Sequence, residues 1–121
     1  MKKKLLILDD KATISQVISF YLAEEYDFQY FDNAVDGIKW LQDGNDPDLI
    51  ISDMYMPKMN GSEFLQFLKH NALFKHIPVI FLSGEENSNV RIKLLEDGAE
   101  DFIVKPFNPL ELKVRIKKAL K

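Results

Sequence analysis

Short apolar or β-rich runs recur along the chain at the length of β-strands. Five such runs occupy residues 5–8, 28–31, 49–51, 79–82 and 102–104. The first, third and fourth are apolar at every position rather than at alternate ones, which is typical of parallel strands covered by helices on both faces. The sequence therefore predicts a parallel sheet with helices between its strands.

The segments between these runs carry apolar residues at helical spacing. The clearest stripe has the pattern i, i+3, i+4, i+7 and consists of Ile14, Val17, Ile18 and Tyr21. Five helices are expected, near residues 11–24, near 34–43, after Gly61, near 87–97 and from 109 onward. Ser62 is the predicted cap of the third helix. Asn108 is the predicted cap of the fifth, with Pro109 at its first position and Glu111 completing a capping-box-like pair.

Strands that alternate with helices across short linkers favour the α/β fold class, because parallel neighbours need right-handed crossover helices. We expect a flavodoxin-like doubly wound sheet of five parallel strands in the order 2-1-3-4-5, with five helices. The length of 121 residues suits a single domain over residues 1–121. No repeat or low-complexity linker divides the chain, so no attached effector domain is expected.

Composition and charge exclude several classes of protein. A hydrophobic content of 46% supports a folded core and excludes intrinsic disorder. The absence of cysteine excludes disulfides and thiolate sites, and the two histidines, His70 and His76, are expected at the surface. The net charge of −3 argues against direct binding of nucleic acid. Three lysines precede an apolar run too short for a secretory signal, so a soluble, cytoplasmic protein without membrane contact is expected.

Polar side chains follow four of the five strands. Asp9 and Asp10 follow the first strand, Asp53 the third, Ser83 the fourth and Lys105 the fifth. Open parallel sheets bind ligands beyond the carboxyl ends of their strands. Only the second strand contributes no such residue, and in the expected order it is an edge. We therefore expect these five side chains to converge.

Each of these residues also has an ordinary structural interpretation. Asp10 could cap the first helix, Asp53 could open a turn, and Ser83 before Gly84 is common turn chemistry. Lys105 could be a solvated loop lysine. These interpretations do not explain why three carboxylates, a hydroxyl and an ammonium group would meet at one edge of the sheet.

The chemistry of this set indicates phosphoryl transfer. Clustered carboxylates repel one another unless a cation is present, and an all-oxygen site with few protein ligands suits Mg²⁺. Phosphoryl transfer needs an in-line nucleophile, a metal ion and groups that contact the phosphoryl oxygens. Asp53 can be the nucleophile, Lys105 the positive charge and Ser83 the hydrogen-bond donor.

Five sequence blocks resemble the receiver domain of two-component response regulators. They are LLILDD at 5–10, DLIISDMYMPKMNG at 48–61, PVIFLSG at 78–84, GAED at 98–101 and FIVKPF at 102–107. The resemblance implies that Asp53 is the phosphoacceptor and takes a phosphoryl group from the phosphohistidine of a histidine kinase or phosphotransfer protein. It also implies that Mg²⁺ is bound directly by Asp10, through water by Asp9, and by Asp53 and the backbone carbonyl of Tyr55.

The resemblance further implies a conformational switch. Lys105 would contact the phosphoryl group, and its bond to Pro106 is expected to be cis. Ser83 would turn toward the phosphoryl group and Phe102 would swing inward behind it. This movement would remodel the surface of the fourth helix, fifth strand and fifth helix, where a protein partner would dock.

Three positions distinguish this sequence within the family pattern. Phe102 stands at the switch position without the hydroxyl group of a tyrosine, so packing alone must report the switch. Tyr55 and Glu85 are expected to tune the site, and Tyr55 could shield an acyl phosphate from water. The alternative is that Tyr55 is a loop residue that packs on its neighbours.

The fifth helix carries four basic residues, Lys113, Arg115, Lys117 and Lys118. The usual interpretation of such a run is a solvated face above a core stripe. The functional alternative is a surface for an acidic partner.

Three functions stay open on the sequence alone. The first is a stand-alone phosphoacceptor switch that acts on an output protein in trans, as a monomer or phosphorylation-dependent dimer, and catalyses only its own phosphorylation and dephosphorylation. The second is the excised receiver of a longer DNA-binding or enzymatic regulator. The third is a Mg²⁺-dependent phosphohydrolase. Enzymes of the haloacid-dehalogenase class typically carry a second Asp two residues after the nucleophile, whereas this chain has Tyr55 there. A pseudo-receiver that works without phosphate is disfavoured because every motif position is filled.

Overall fold

Strands and helices alternate along the chain in the computed structural model, which describes residues 2–84 and 88–121. The elements are β1 (Lys3–Leu8), α1 (Ala12–Leu22), β2 (Tyr26–Phe31), α2 (Ala34–Gln42), β3 (Leu49–Asp53), α3 (Gly61–Lys69), β4 (Val79–Ser83), α4 (Ser88–Glu96), β5 (Asp101–Val104) and α5 (Pro109–Ala119). Each predicted strand and helix is present at its predicted place, within a few residues at each end.

The strands form one parallel sheet in the order β2-β1-β3-β4-β5. This order confirms the predicted flavodoxin-like fold. Because the connections cross over, α1 and α5 lie on one face of the sheet and α2, α3 and α4 on the other.

Alternate residues of each central strand enter separate cores. In β1, Leu5 and Ile7 pack with Ile18 of α1 and Leu112 of α5, whereas Leu6 packs on the opposite side with residues of α2, α3 and α4. Both faces of β1, β3 and β4 are therefore buried. This explains why these strands are apolar at consecutive positions.

The edge strand β2 differs from the central strands. Its residues after Tyr26 are exposed or only half-buried, and it begins at Tyr26, two residues earlier than predicted. Backbone pairing with β1 extends it, since Tyr26 pairs with Lys3. Asp27 interrupts the apolar pattern at this point, so the sequence alone places the start too late.

Asparagine side chains cap the N-termini of α3 and α5. The predicted cap Ser62 is wrong, because Asn60 caps α3. Its side chain accepts a hydrogen bond from Glu63 N, and the Glu63 carboxylate accepts one from Asn60 N. Asn108 caps α5 as predicted by accepting from Leu110 N, with Pro109 in the first turn. The predicted capping-box pair with Glu111 is wrong, because the Glu111 carboxylate accepts a hydrogen bond from Arg115 one turn further along α5 rather than from Asn108 N.

Three of the four basic residues of α5 are paired within the chain. Lys113 forms an ion pair with Glu25, and Lys117 lies 3.6 Å from the same carboxylate. Arg115 donates two hydrogen bonds to the carboxylate of Asp101 at 2.8 and 2.9 Å. These pairs join α5 to the α1–β2 connection and to β5, but the basic side chains remain partly exposed above the buried Leu112 and Ile116, as the solvated-face interpretation predicts.

Two further expectations concern the surface. His70 and His76 are both exposed, as predicted, and His76 lies 3.5 Å from Asp46. Across residues 2–84 and 88–121, no helix is both long enough and apolar enough to cross a membrane.

Candidate functional site

The carboxyl ends of β1, β3, β4 and β5 meet at one edge of the sheet. Asp9 follows β1, Asp53 ends β3, Ser83 ends β4 and Lys105 follows β5. The ammonium group of Lys105 lies 3.0 Å from Asp9 Oδ2 and 3.5 Å from Asp53 Oδ1. Ser83 is buried one residue beyond Leu82, which pairs with Asp53 across the sheet. The expected convergence of strand-end residues is therefore observed.

Three carboxylates form an acidic cluster at this edge. One oxygen each of Asp9, Asp10 and Asp53 lies within 4.8 Å of the others. Asp9 is 1% exposed and Asp53 is 8% exposed, whereas Asp10 is at the surface. An all-oxygen cluster with one solvent-facing ligand could bind a hard metal cation that retains part of its water shell.

Asp9 makes several hydrogen bonds. Its Oδ1 accepts from Lys11 N at 2.9 Å and its Oδ2 accepts from Lys105 Nζ at 3.0 Å. Its backbone carbonyl accepts from the hydroxyl of Tyr30 at 2.6 Å, and its backbone N–H donates to Phe31 O at 3.3 Å. Both carboxylate oxygens of Asp9 are thus already engaged within the protein.

The contact of Tyr30 with Asp9 is not predicted by the sequence pattern. The only signal for it is a tyrosine near the end of the edge strand, at the register position of Ile7 in β1. A side chain of that length can extend past the end of β1 to the residues that follow it. Recognising this requires the strand register, which the sequence pattern does not supply.

Asp10 does not cap the first helix. The N-cap residue of α1 is Lys11, and no side chain accepts a hydrogen bond from the first turn there. The capping interpretation of Asp10 is therefore wrong. Its carboxylate belongs to the acidic cluster instead.

Burial raises the pKa of Asp53 above its ordinary value of 3.8. The charge of Lys105 acts in the opposite direction, and the charge of Asp9 raises the pKa further. Backbone hydrogen bonding from the residues directly after Asp53 acts to lower the pKa, but the net shift is upward. Asp53 is the last residue of β3 and the backbone bends directly after it, at Met54 and Tyr55, while the role of Asp53 in the site stays a prediction.

The start of α3 packs closely against the backbone of Asp53 and Met54. Gly61 N donates to Met54 O at 2.7 Å, which closes the loop. A methyl group at Gly61 would lie 3.0 Å from the backbone oxygen of Asp53. Lys58 adopts a left-handed backbone conformation with φ of 73°, and the side chain of Tyr55 is 49% exposed beside the site.

The remaining predicted residues lie on β5 and beyond it. Phe102 is 7% exposed and belongs to the same core as Leu94 of α4, so its ring already lies inward in this structure and the predicted inward swing is not needed to bury it. The Lys105–Pro106 peptide bond is cis, as the family resemblance implies. Glu85 lies outside the described residues.

Comparison with known families decides the class of protein. The family model described as the response regulator receiver domain matches residues 5–117. The chain is a response regulator receiver domain. Receiver domains are signalling switches of two-component systems rather than conventional enzymes.

Individual relatives agree with this assignment. The chain is similar to the phosphate regulon transcriptional regulatory protein PhoB of Escherichia coli, with 34% identity over 128 residues, covering 100% of this receiver domain and 53% of PhoB. It is also similar to hybrid signal transduction histidine kinase D of Dictyostelium discoideum, with 32% identity, covering 95% of this chain and 7% of that kinase. The receiver domain thus spans about half the length of PhoB.

A solved structure supports the fold of the receiver domain throughout its length. The chemotaxis response regulator CheY4 of Vibrio cholerae superimposes with a TM-score of 0.90 and 29% identity. The match covers 99% of this chain and 100% of CheY4.

Proposed function

We propose that this receiver domain is a phosphoacceptor switch in which Asp53 accepts a phosphoryl group from a phosphohistidine of a histidine kinase or phosphotransfer protein. The observation that carries the proposal is the cluster of Asp9, Asp10 and Asp53, in which the ammonium group of Lys105 lies beside Asp9 and Asp53. No helix-capping or turn role accounts for three carboxylates and a lysine at one position.

The donor set of this cluster fits Mg²⁺. Asp10 is exposed and would bind the ion directly, together with Asp53 and the backbone carbonyl of Tyr55. Asp9 would act through water, because both of its carboxylate oxygens already accept hydrogen bonds from Lys11 and Lys105. Mg²⁺, when bound, supplies positive charge to the carboxylate and the phosphoryl oxygens. Burial is the largest cause of the raised pKa of Asp53, and the charge of Asp9 adds to it, so a cation bound beside Asp53 would favour its ionised form.

The transfer makes one bond and breaks one. An oxygen of the Asp53 carboxylate attacks phosphorus while the bond from phosphorus to the imidazole nitrogen breaks, and its electron pair stays on that nitrogen. Lys105, 3.5 Å from Asp53, would donate to a phosphoryl oxygen, and Ser83 would donate from its hydroxyl group. Attack of water on the acyl phosphate then restores the carboxylate and releases inorganic phosphate.

The output of the switch would pass through packing. Ser83 ends β4 and its neighbour across the sheet is Val104 of β5, so a movement of Ser83 toward the phosphoryl group is adjacent to β5. Phe102 of β5 has no hydroxyl group and packs in the core beside α4. The proposed readout is therefore a changed surface of α4, β5 and α5 that is read by a protein partner.

A longer regulator is the second candidate context for the same chemistry. It is favoured by the length of PhoB, of which this chain covers 53%. In that context the α4-β5-α5 surface would be read by an attached domain rather than by a separate protein. The chemistry at Asp53 is the same in both.

Intact-mass spectrometry tests the proposal directly. The protein is incubated with Mg²⁺ and either acetyl phosphate or phosphoramidate, beside an Asp53→Asn variant and a sample with EDTA. We expect one phosphoryl group on the wild type and none on the two controls. Phosphorylation that persists in Asp53→Asn would overturn the role of Asp53, and no phosphorylation with either donor would overturn the switch.

A further inference from the structure

The edge strand β2 carries a side chain that reaches the acidic cluster. Tyr30 pairs with Ile7 of β1, two residues before Asp9, and its side chain is half-buried on the face of the sheet covered by α1. From there its hydroxyl donates to the backbone carbonyl of Asp9 at 2.6 Å. No strand-end argument assigns a function to this strand.

The position of this hydrogen bond is informative. The carbonyl of Asp9 belongs to the peptide unit that joins Asp9 to Asp10, so the hydroxyl of Tyr30 restrains the plane of that unit. Before this peptide unit, Asp9 N donates a hydrogen bond to Phe31 O. After it, Lys11 N donates a hydrogen bond to Asp9 Oδ1. The edge strand thus fixes the backbone of the acidic pair from two consecutive residues, Tyr30 and Phe31.

The donor is in the correct protonation state for this bond. Burial raises the pKa of Tyr30 above its ordinary value of 10.0, and neighbouring carboxylates raise it further. The hydroxyl group therefore keeps its proton at neutral pH. A 2.6 Å separation is at the short end of the range for a hydroxyl donor.

The turn that carries Asp10 has few other restraints. The carboxylate of Asp10 is repelled by those of Asp9 and Asp53. The helix that follows, α1, has no side-chain cap to hold its first turn. Mutual repulsion favours a wider separation of the three carboxylates when no cation is bound. A turn that relaxes outward would have to be reordered when the cation binds, and this would weaken binding.

We propose that Tyr30 is a positioning residue for the acidic pair, whose hydroxyl group holds the peptide between Asp9 and Asp10 so that both carboxylates are pre-arranged for a divalent cation. The inference rests on the proposed function, because it requires the acidic cluster to bind that cation. Tyr30 itself contacts neither the cation nor Asp53 in this scheme. Groups that orient metal ligands commonly change metal affinity by about 10- to 100-fold when removed, and a restraint on the backbone should contribute less.

The test compares Tyr30→Phe with Tyr26→Phe. Both variants lose one hydroxyl group from the same strand, but Tyr26 lies beside Lys3, at the opposite end of the sheet from the cluster. Isothermal titration of the unphosphorylated proteins with Mg²⁺ should give a Kd about 3- to 10-fold weaker for Tyr30→Phe. The Kd of Tyr26→Phe should equal that of the wild type.

Two further measurements distinguish positioning from general destabilisation. At saturating Mg²⁺, phosphorylation of Tyr30→Phe by acetyl phosphate should recover the wild-type rate, because the variant loses affinity for the ion and not the reacting groups. In metal-free protein, the amide of Lys11, which donates to Asp9, should exchange with deuterated solvent faster in Tyr30→Phe than in the wild type.

The outcomes separate this inference from the function on which it rests. If the wild type binds Mg²⁺ and Tyr30→Phe binds it equally well, the role of Tyr30 is overturned and the proposed switch stands. If both tyrosine variants lose affinity equally, or the exchange of Lys11 is unchanged, the positioning role is also overturned. If the wild type does not bind Mg²⁺, the proposed metal site is overturned and this inference with it.

Discussion

Gly61 lies at the point where α3 meets the backbone of the candidate phosphoacceptor, and replacing it with alanine tests that packing. A methyl group there would lie 2.7 Å from Phe81 Cε1 and 3.0 Å from both Asp53 O and Met54 Cα. Two of these neighbours are backbone atoms of the β3–α3 connection, and the third belongs to a fully buried ring. None of them can move away as a flexible side chain would.

The magnitude follows from two opposing effects. Alanine stabilises a helix relative to glycine by about 0.5–1 kcal/mol, and the backbone angle of Gly61 does not forbid it. Forcing an extra methyl group into a well-packed core costs about 1–3 kcal/mol. Because the closest contacts are rigid, we expect the packing cost to dominate and the free energy of unfolding to fall by about 1–2 kcal/mol.

Thermal unfolding provides the assay, and Gly84→Ala provides the control. For a domain of this size, that loss corresponds to a fall in Tm of about 4–8 °C. Gly84 has nothing within 4 Å of the position its methyl group would take, so Gly84→Ala should melt close to the wild type. If Gly61→Ala melted as high as Gly84→Ala, the argument from close backbone packing would be refuted.

Three other predictions concern the loop and the site. Because burial raises the pKa of Asp53 in the folded protein, its ionisation lowers the free energy of unfolding as the pH rises above the ordinary value of 3.8. In EDTA, Asp53→Asn should therefore melt above the wild type at neutral pH, and a gain that persists undiminished below that pKa would contradict this. Lys58→Gly should increase the free energy of unfolding by roughly 0.5–1 kcal/mol and so raise Tm, because φ of 73° strains the backbone of a residue with a side chain. A lower Tm for Lys58→Gly would contradict this backbone strain. We expect Tyr55→Ala to shorten the lifetime of phosphorylated Asp53 if the half-exposed ring shields the acyl phosphate from water, and equal lifetimes in mass spectra taken over time would favour the alternative, that Tyr55 packs on its neighbours.

Much of the fold could be predicted because the central strands are buried on both faces. In β1, β3 and β4 every residue of the predicted runs contacts one core or the other, which leaves an uninterrupted apolar signal. The edge strand gives a weaker signal, and its start at Tyr26 follows from pairing with Lys3 rather than from its own composition. The cap of α3 was mistaken because Ser62 and Asn60 are both capping residues, although only Asn60 has a glutamate three residues later.

The site shows the same division between local and long-range information. The juxtaposition of Asp9, Asp53 and Lys105 follows from topology, since residues after parallel strands share one edge of the sheet. The hydrogen bond from Tyr30 depends on the register of an edge strand, which periodicity does not fix. The chemical roles of Asp9, Asp53, Lys105 and Tyr30 stay predictions.

The pair of Glu111 with Arg115, four residues apart on α5, could be predicted from the helix alone, but the pairs that α5 makes with other elements could not. The partners of Lys113 and Arg115 are Glu25 and Asp101, which are distant along the chain or on another element. A helical pattern shows only which face is charged. It does not show whether an opposite charge lies beside that face in the folded protein.

The separation of the two cores by the sheet also determines how a disturbance travels. Consecutive residues of β5 belong to opposite sides, with Phe102 beside Leu94 of α4, and Ile103 beside Leu112 and Ile116 of α5. Phe102 therefore shares a core with α4, whereas its connection to α5 runs through β5 itself and through the Asp101 carboxylate, which accepts hydrogen bonds from both Phe102 N and Arg115. If α4 and α5 form one output surface, as proposed, the two helices would receive the same event by different routes, and substitutions in one core should alter the response of one helix more than that of the other.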